Sequence, residues 1–192
     1  WKYVTGNFFY YSYGESEKFF FLKPRILKGL LGFRKGFFIY TPIMFFAFCG
    51  LIPLFKKYKF QALTIIITTL IYIYITLSWW CWWYGGSLGQ RSFIDFYALW
   101  SIPLTAFFAY VIKIKNLIIK TILVLLIFFA SFMNIMYTIQ IRNGALHYDS
   151  MTWAAFKCSF LTTKPRCDFY SLLCQPDYEM AQKGIDICHP VK

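Results

Sequence analysis

The stretch Ser78–Asp95, SWWCWWYGGSLGQRSFID, decides how the chain is read. Four of the seven tryptophans lie within Trp79–Trp83, and a tyrosine, two glycines and then Arg91 follow. One long apolar run ends just before this stretch and another begins just after it. Tryptophan and tyrosine collect where hydrocarbon meets water, because the ring is apolar while its N–H or O–H needs a polar partner. The stretch therefore predicts a re-entrant or interfacial loop at a membrane surface. Its polar residues, Tyr84, Ser87, Gln90, Arg91 and Asp95, are the candidates for a functional site.

Working outward, composition sets the class. Hydrophobic residues make up 59% of the chain and charged residues 15%, against roughly 45–50% and about 25% for a soluble domain. The apolar surplus is concentrated in runs, which predicts an all-α, polytopic integral membrane protein. The net charge of +12, from 20 basic and 8 acidic residues, would suggest nucleic acid in a soluble protein. Here the basic residues flank apolar runs and no nucleic-acid-binding motif is visible. Membrane lipids, through anionic headgroups or a phosphate-bearing lipid, are the expected partners. The first residue is Trp1 and no signal peptide precedes the first run, so the chain reads as the carboxy-terminal part of something longer.

Residues 1–36 form an aromatic and basic segment without a spanning run. Phe19–Leu22 and Ile26–Phe33, around Lys23, Pro24 and Arg25, fit short helices lying in the interface. Arg25, Lys28, Arg34 and Lys35 are then expected at headgroup level as snorkelling anchors, the sharper alternative being that they bind a specific lipid phosphate. Four transmembrane helices are expected at 37–55, 60–80, 96–112 and 117–139, with the Trp- and Gly-rich loop at 79–95. Pro103 should kink the third. The turns Lys56–Lys59 and Lys113–Asn116 are dense in lysine, which argues that they are cytoplasmic. Counting all basic residues points the other way, but long flanking segments obey that rule less well.

Residues 140–192 read as a small soluble tail on the side of the Trp-rich loop. Met151–Leu161 and Pro176–Lys183 predict short helices, the second stopped by Gly184. Cys158, Cys167, Cys174 and Cys188 lie here. An exterior tail permits disulfides, with three pairings possible. Zinc held by these cysteines and His189 is disfavoured by the lack of close C-x-x-C spacing, so no metal is assigned.

Gly85–Gly89 spells G-G-S-L-G, a formal match to the G-x-S-x-G nucleophile elbow. That elbow needs a strand before the serine, whereas a membrane run precedes it here. A phosphate reading fits better. Gly85, Gly86 and Ser87 expose backbone N–H groups, Gln90 follows, and Arg91 offers a planar fork for phosphate oxygens. The plainer alternative pairs Arg91 with Asp95 four residues on, as an interfacial anchor. Lys120 should snorkel, Asn134 should act as interhelical glue, and His147 with Asp149 should form a local structural hydrogen bond.

WWYGGSLGQRSFIDFYALWSIPL resembles a W-W-x-G-G-x-S/F-x-G-x-R motif of bacterial multispanning proteins related to the GT-C glycosyltransferases, in the dolichyl-phosphate-mannose protein mannosyltransferase-like branch. GFRKGFFIYTPIM is similar to the segment that opens a later span there, and LHYDSMTW and PDYEMAQKG resemble tails of Bacteroidetes versions. The resemblance covers nearly the whole chain as the carboxy-terminal portion of that architecture. It implies a bacterial inner-membrane protein whose Trp-rich loop and tail face the periplasm. It also implies that Arg91 and the glycine loop bind a polyprenyl-phosphate sugar donor, with Tyr84, Asp95, His147 and Asp149 as possible support. Gln90 stands where many relatives have proline. The catalytic acidic residue of the family lies in a first exterior loop that this sequence does not contain. No cofactor is evident, and the resemblance leaves a divalent metal in a full-length protein open. The alternative reading is a non-enzymatic multispanning protein, such as a transporter subunit or envelope assembly component.

Overall fold

The computed structural model describes residues 1–11, 14 and 17–191. Residues 12, 13, 15 and 16 of the expected interfacial segment, and residue 192 of the tail, lie outside the described residues. The chain is mostly helical. The helices are α1 (Lys2–Thr5), α2 (Ile26–Leu31), α3 (Phe37–Tyr40), α4 (Met44–Lys57), α5 (Lys59–Leu77), α6 (Tyr97–Lys113), α7 (Leu117–Arg142), α8 (Trp153–Ser159) and α9 (Tyr178–Gln182). A 3₁₀ turn, Arg91–Phe96, leads directly into α6. Strands β1 (Cys174–Pro176) and β2 (Cys188–Pro190) pair antiparallel.

Three helical stretches are long and apolar enough to cross a membrane: Lys59–Leu77, Arg91–Lys113 and Leu117–Arg142. The expected first span, 37–55, is not one helix. Pro42 disfavours helical backbone at the residue before it, and Thr41 sits at φ −134° and ψ 61°. The run breaks there into α3 and the 14-residue α4. At 1.5 Å per residue α4 is about 21 Å long, short of a hydrocarbon core of roughly 30 Å.

α4 packs against α6 more closely than ordinary side chains allow. A Cβ on Gly50 would stand 1.8 Å from the carbonyl oxygen of Pro103. Glycine is therefore the residue that lets the two backbones meet. The Trp100 Nε1–H donates to Thr69 Oγ1 at 2.9 Å, tying α6 to α5 inside apolar surroundings. Phe93 meets Phe37 and Trp100 edge-to-face, and Phe37 and Trp100 pack at a tilt, joining α3 and the 3₁₀ turn to the bundle. Most of α7 remains exposed, as a lipid-facing helix would be.

The amino-terminal segment is a structural partner of the Trp-rich loop. Phe20 N–H donates to Ser78 O at 2.6 Å, and Arg25 N–H to Leu77 O at 2.8 Å. Residues 19–22 are accordingly an extended bridge and turn, not the short helix expected. The expected headgroup anchors also have other duties. Arg25 donates to Gly184 O at 3.0 Å, and Lys28 and Arg34 pair with Asp186 at 2.5 and 3.4 Å. These contacts clamp the tail over the loop. Trp82 and Trp83 are buried beneath it rather than spread at an interface.

The tail is held by Cys158–Cys167 and Cys174–Cys188, one of the three possible pairings. This removes the cysteines from any zinc site. His189 lies 3.0 Å from Asp177, and no metal-ligating group of three forms among the described residues. The two predicted tail helices form as α8 and α9. Thr152 and Asp177 accept N-terminal backbone N–H groups as caps, and Gly184 takes φ +79° just after α9.

Candidate functional site

Lys35 lies in the turn between α2 and α3 and has no exposed surface at all. Its ammonium donates to the carbonyl oxygen of Ser87, and to Ser87 Oγ at 3.0 Å. A lysine ammonium has three donors; no acceptor stands against the third among the described residues. Burial lowers its pKa to about 8, opposed by the nearby Asp149 carboxylate and reinforced by the Arg91 charge. An ion so placed is costly to the fold unless something else benefits from it.

The loop above Lys35 is shaped by backbone that favours glycine. Gly85 and Gly89 adopt φ +67° and +58°, and Tyr84 shares this left-handed region at φ 53°. Gly86 faces the Tyr148 ring, where a Cβ would stand 3.2 Å away. The Tyr84 hydroxyl donates to Thr76 O at 2.9 Å, pinning the loop to the end of α5. Gln90 is buried, and its Nε2 donates to Trp82 O at 3.0 Å. Its Oε1 has no donor among the described residues. Arg91 begins the 3₁₀ turn and is exposed. Asp95 is exposed too, and no ion pair joins it to Arg91 among the described residues.

Asp149 supplies the negative charge beneath the loop. It is 4% exposed and accepts from Ser150 Oγ at 2.7 Å and from the Tyr178 hydroxyl at 3.2 Å. His147 Nδ1 is 3.2 Å from Asp149 Oδ1, but it also accepts the Ser150 N–H at 3.2 Å. An Nδ1 that accepts carries no proton, so the imidazole is neutral in this arrangement. Burial lowers its pKa in the same sense, partly offset by Asp149. The hydrogen bond that joins the pair runs from the Asp149 backbone N–H to His147 Nδ1 at 3.4 Å, not between the imidazole and the carboxylate. Trp83 Nε1–H extends the chain by donating to Tyr178 Oη at 3.4 Å.

Arg34 closes the other side. Its guanidinium lies 5.5 Å from the Trp83 ring centre and 5.9 Å from that of Trp82, and donates to Cys174 O at 3.4 Å. Its pKa is lowered by burial, against the pull of Asp186 and Asp149. Three cations thus gather on one side of the membrane domain, and of the three Arg91 alone is on the surface.

No protein family, curated protein or solved structure matches the chain.

The sequence marks Lys35 and Arg34 as headgroup-level residues and not as partners of the Trp-rich loop, and it does not single out Tyr178. The RKG dipeptide-glycine run looks like an ordinary basic flank before an apolar stretch. The available signal was its place inside GFRKGFFIYTPIM, one of the segments carrying the family resemblance. Ser87 has a lysine as partner, and α5 rather than a strand precedes the loop, so the nucleophile-elbow context is missing. The fourth-span residues lie apart from this cluster. Lys120 Nζ donates to Ile112 O at 3.0 Å, and Asn134 Oδ1 is buried without a partner among the described residues, so that atom is not interhelical glue.

Proposed function

We propose that the chain is the carboxy-terminal part of a membrane glycosyltransferase using a polyprenyl-phosphate-linked sugar, and that it binds the donor's phosphate. One observation carries the reading: a fully buried lysine whose third N–H meets no acceptor among the described residues, beneath a glycine loop that leads into an exposed arginine. Phosphate suits this arrangement because Ser87, Lys35 and Arg91 offer a hydroxyl, a desolvated ammonium and a fork. When the bond from the sugar's anomeric carbon to the phosphate oxygen breaks, negative charge grows on the leaving phosphate. Fixed cations stabilise that charge without reorganising. The acceptor hydroxyl loses its proton to an acidic group that the family resemblance assigns to a part of the protein outside this sequence.

The same reading puts the lysine turns in the cytoplasm and the Trp-rich loop and tail in the periplasm of a bacterial inner membrane. Two disulfides in the tail fit an oxidising compartment. The segment 37–57, broken at Pro42, then acts as a fourth crossing that runs partly within protein, where irregular backbone is tolerated. The test is sugar transfer from a polyprenyl-phosphate donor by the full-length protein. Lys35→Gln and Arg91→Ala should each abolish most transfer while inserting normally. Normal transfer by both variants would overturn the proposal.

A further inference from the structure

Among the described residues, one whole end of the molecule carries no carboxylate. Between Glu17 and Asp95, and again between Asp95 and Asp149, there is no carboxylate. Lys56, Lys57, Lys59, Lys113, Lys115 and Lys120 all fall in those intervals, at the turns joining α4 to α5 and α6 to α7. Every ion pair among the described residues lies in the opposite half, with the tail. Lys120 is engaged by the carbonyl of Ile112. Lys56, Lys57 and Lys113 are exposed at helix ends and have no hydrogen-bond acceptor among the described residues.

These three lysines rim two cavities. One, of about 400 Å³, is lined by Cys49, Ile52, Pro53, Lys56, Phe107 and Tyr110. The other, of about 270 Å³, lies between the same helices and adds Lys57, Tyr58, Ala106 and Lys113. Pro53 and Tyr110 line both, so the cavities adjoin. Both sit toward the lysine end of the close Gly50–Pro103 crossing. The walls are apolar, and the rim carries only positive charge and tyrosine hydroxyls.

We infer that this end of the α4–α6 groove binds an anionic phospholipid from the adjacent leaflet, with its phosphate among Lys56, Lys57 and Lys113 and an acyl chain along Ile52, Phe107 and Tyr110. Charge complementarity selects the occupant. Moving an acyl chain from bulk lipid into an apolar groove changes little free energy, so discrimination resides in the headgroup. A zwitterionic lipid carries a compensating cation that the rim repels. An anionic one neutralises lysines that no carboxylate pairs among the described residues. This site is at the opposite end of the helices from Lys35 and does not depend on sugar transfer.

Native mass spectrometry of the full-length protein tests it, with phosphatidylglycerol and phosphatidylcholine as probes. Phosphatidylglycerol should remain bound under conditions that strip phosphatidylcholine. The triple variant Lys56→Gln/Lys57→Gln/Lys113→Gln should bind it roughly 30- to 100-fold more weakly. The control Lys59→Gln/Lys115→Gln removes charge from the same end but not from the rim, and should keep it. A phosphatidylglycerol with a photoreactive acyl chain should crosslink peptides containing Ile52 or Tyr110. Equal retention of both lipids, equal loss in both variants, or crosslinks spread along α7 would overturn the site in favour of general attraction. An acidic protein retained there in place of lipid would overturn it as well.

Discussion

The Lys35 ammonium and the Ser87 hydroxyl, 52 residues apart in the chain, meet at 3.0 Å, with the lysine fully buried and the serine partly so. Removing the lysine charge therefore has two separable effects. Lys35→Met relieves the cost of a desolvated ion while leaving Ser87 short of a donor. We expect thermal stability in detergent to stay the same or rise, and donor binding to be lost. A variant that unfolds would show that the lysine is there for the fold.

The pH dependence follows from the same lysine. Its folded pKa, about 8, lies below the ordinary 10.5. Between those values the unfolded chain holds a proton that the folded protein has released, so this group makes stability rise with pH from about 8 to 10.5. Phosphate binding runs the opposite way, because the neutral amine no longer attracts the anion. Donor affinity should fall through pH 8 while the melting temperature does not. Lys35→Arg keeps its charge and should flatten that fall; an unchanged pH profile in the arginine variant would exclude Lys35 as the titrating group.

Asp186 is expected to fasten the tail. Its carboxylate serves both Lys28 and Arg34, the latter 152 residues away. Asp186→Asn leaves the half-buried Arg34 without its counter-ion, at a cost of roughly 1–3 kcal/mol. Limited proteolysis should then cut the 140–191 region faster, with the helical bundle intact. Unaltered cleavage would mean that the disulfides and Tyr178 hold the tail without help.

Much of the membrane core could be read from composition alone. The runs that became α5 and α7 are too long and apolar to be anything but helices in lipid, and Gly184 marked the end of α9. Long-range packing was not legible. Nothing local to Lys35 says that a loop 52 residues away will cover it. Likewise, the tryptophans looked interfacial because their burial depends on a tail clamped through Asp186. The break at Thr41–Pro42 was visible as a proline, but its position near a span's start looked tolerable until the backbone before it turned out of helical geometry. The cysteines announced disulfides without announcing which pairs.

At Gly50, substitution probes the helix crossing. The alanine Cβ would stand 1.8 Å from Pro103 O, and backbone cannot swing aside as a side chain can. Gly50→Ala should cost about 1–3 kcal/mol, read as a lower unfolding temperature in a fixed detergent. Wild-type stability in that variant would mean that α4 and α6 can separate freely.

Alkylation of the denatured protein without reductant should modify Cys49 and Cys81 only, since the four tail cysteines are paired. In the native state Cys81 should react slowly, because burial raises its thiol pKa. Replacing Cys174 and Cys188 by serine should destabilise the tail by about 3 kcal/mol, from the loop they close. Six alkylated thiols in protein isolated from its membrane without reductant would contradict an exterior tail.

The most direct measurement compares binding of a polyprenyl monophosphate with that of the uncharged polyprenol, in wild type and in Lys35→Gln, Arg91→Lys and Arg91→Ala proteins. A phosphate held by both cations gives strong preference for the phosphorylated lipid. Arg91→Ala and Lys35→Gln should each weaken that lipid by about 30- to 1000-fold, Arg91→Lys should weaken it partly, and polyprenol binding should not change. Equal affinity for the two lipids in the wild type, or full retention of phosphate preference in Arg91→Ala and Lys35→Gln, would contradict the account.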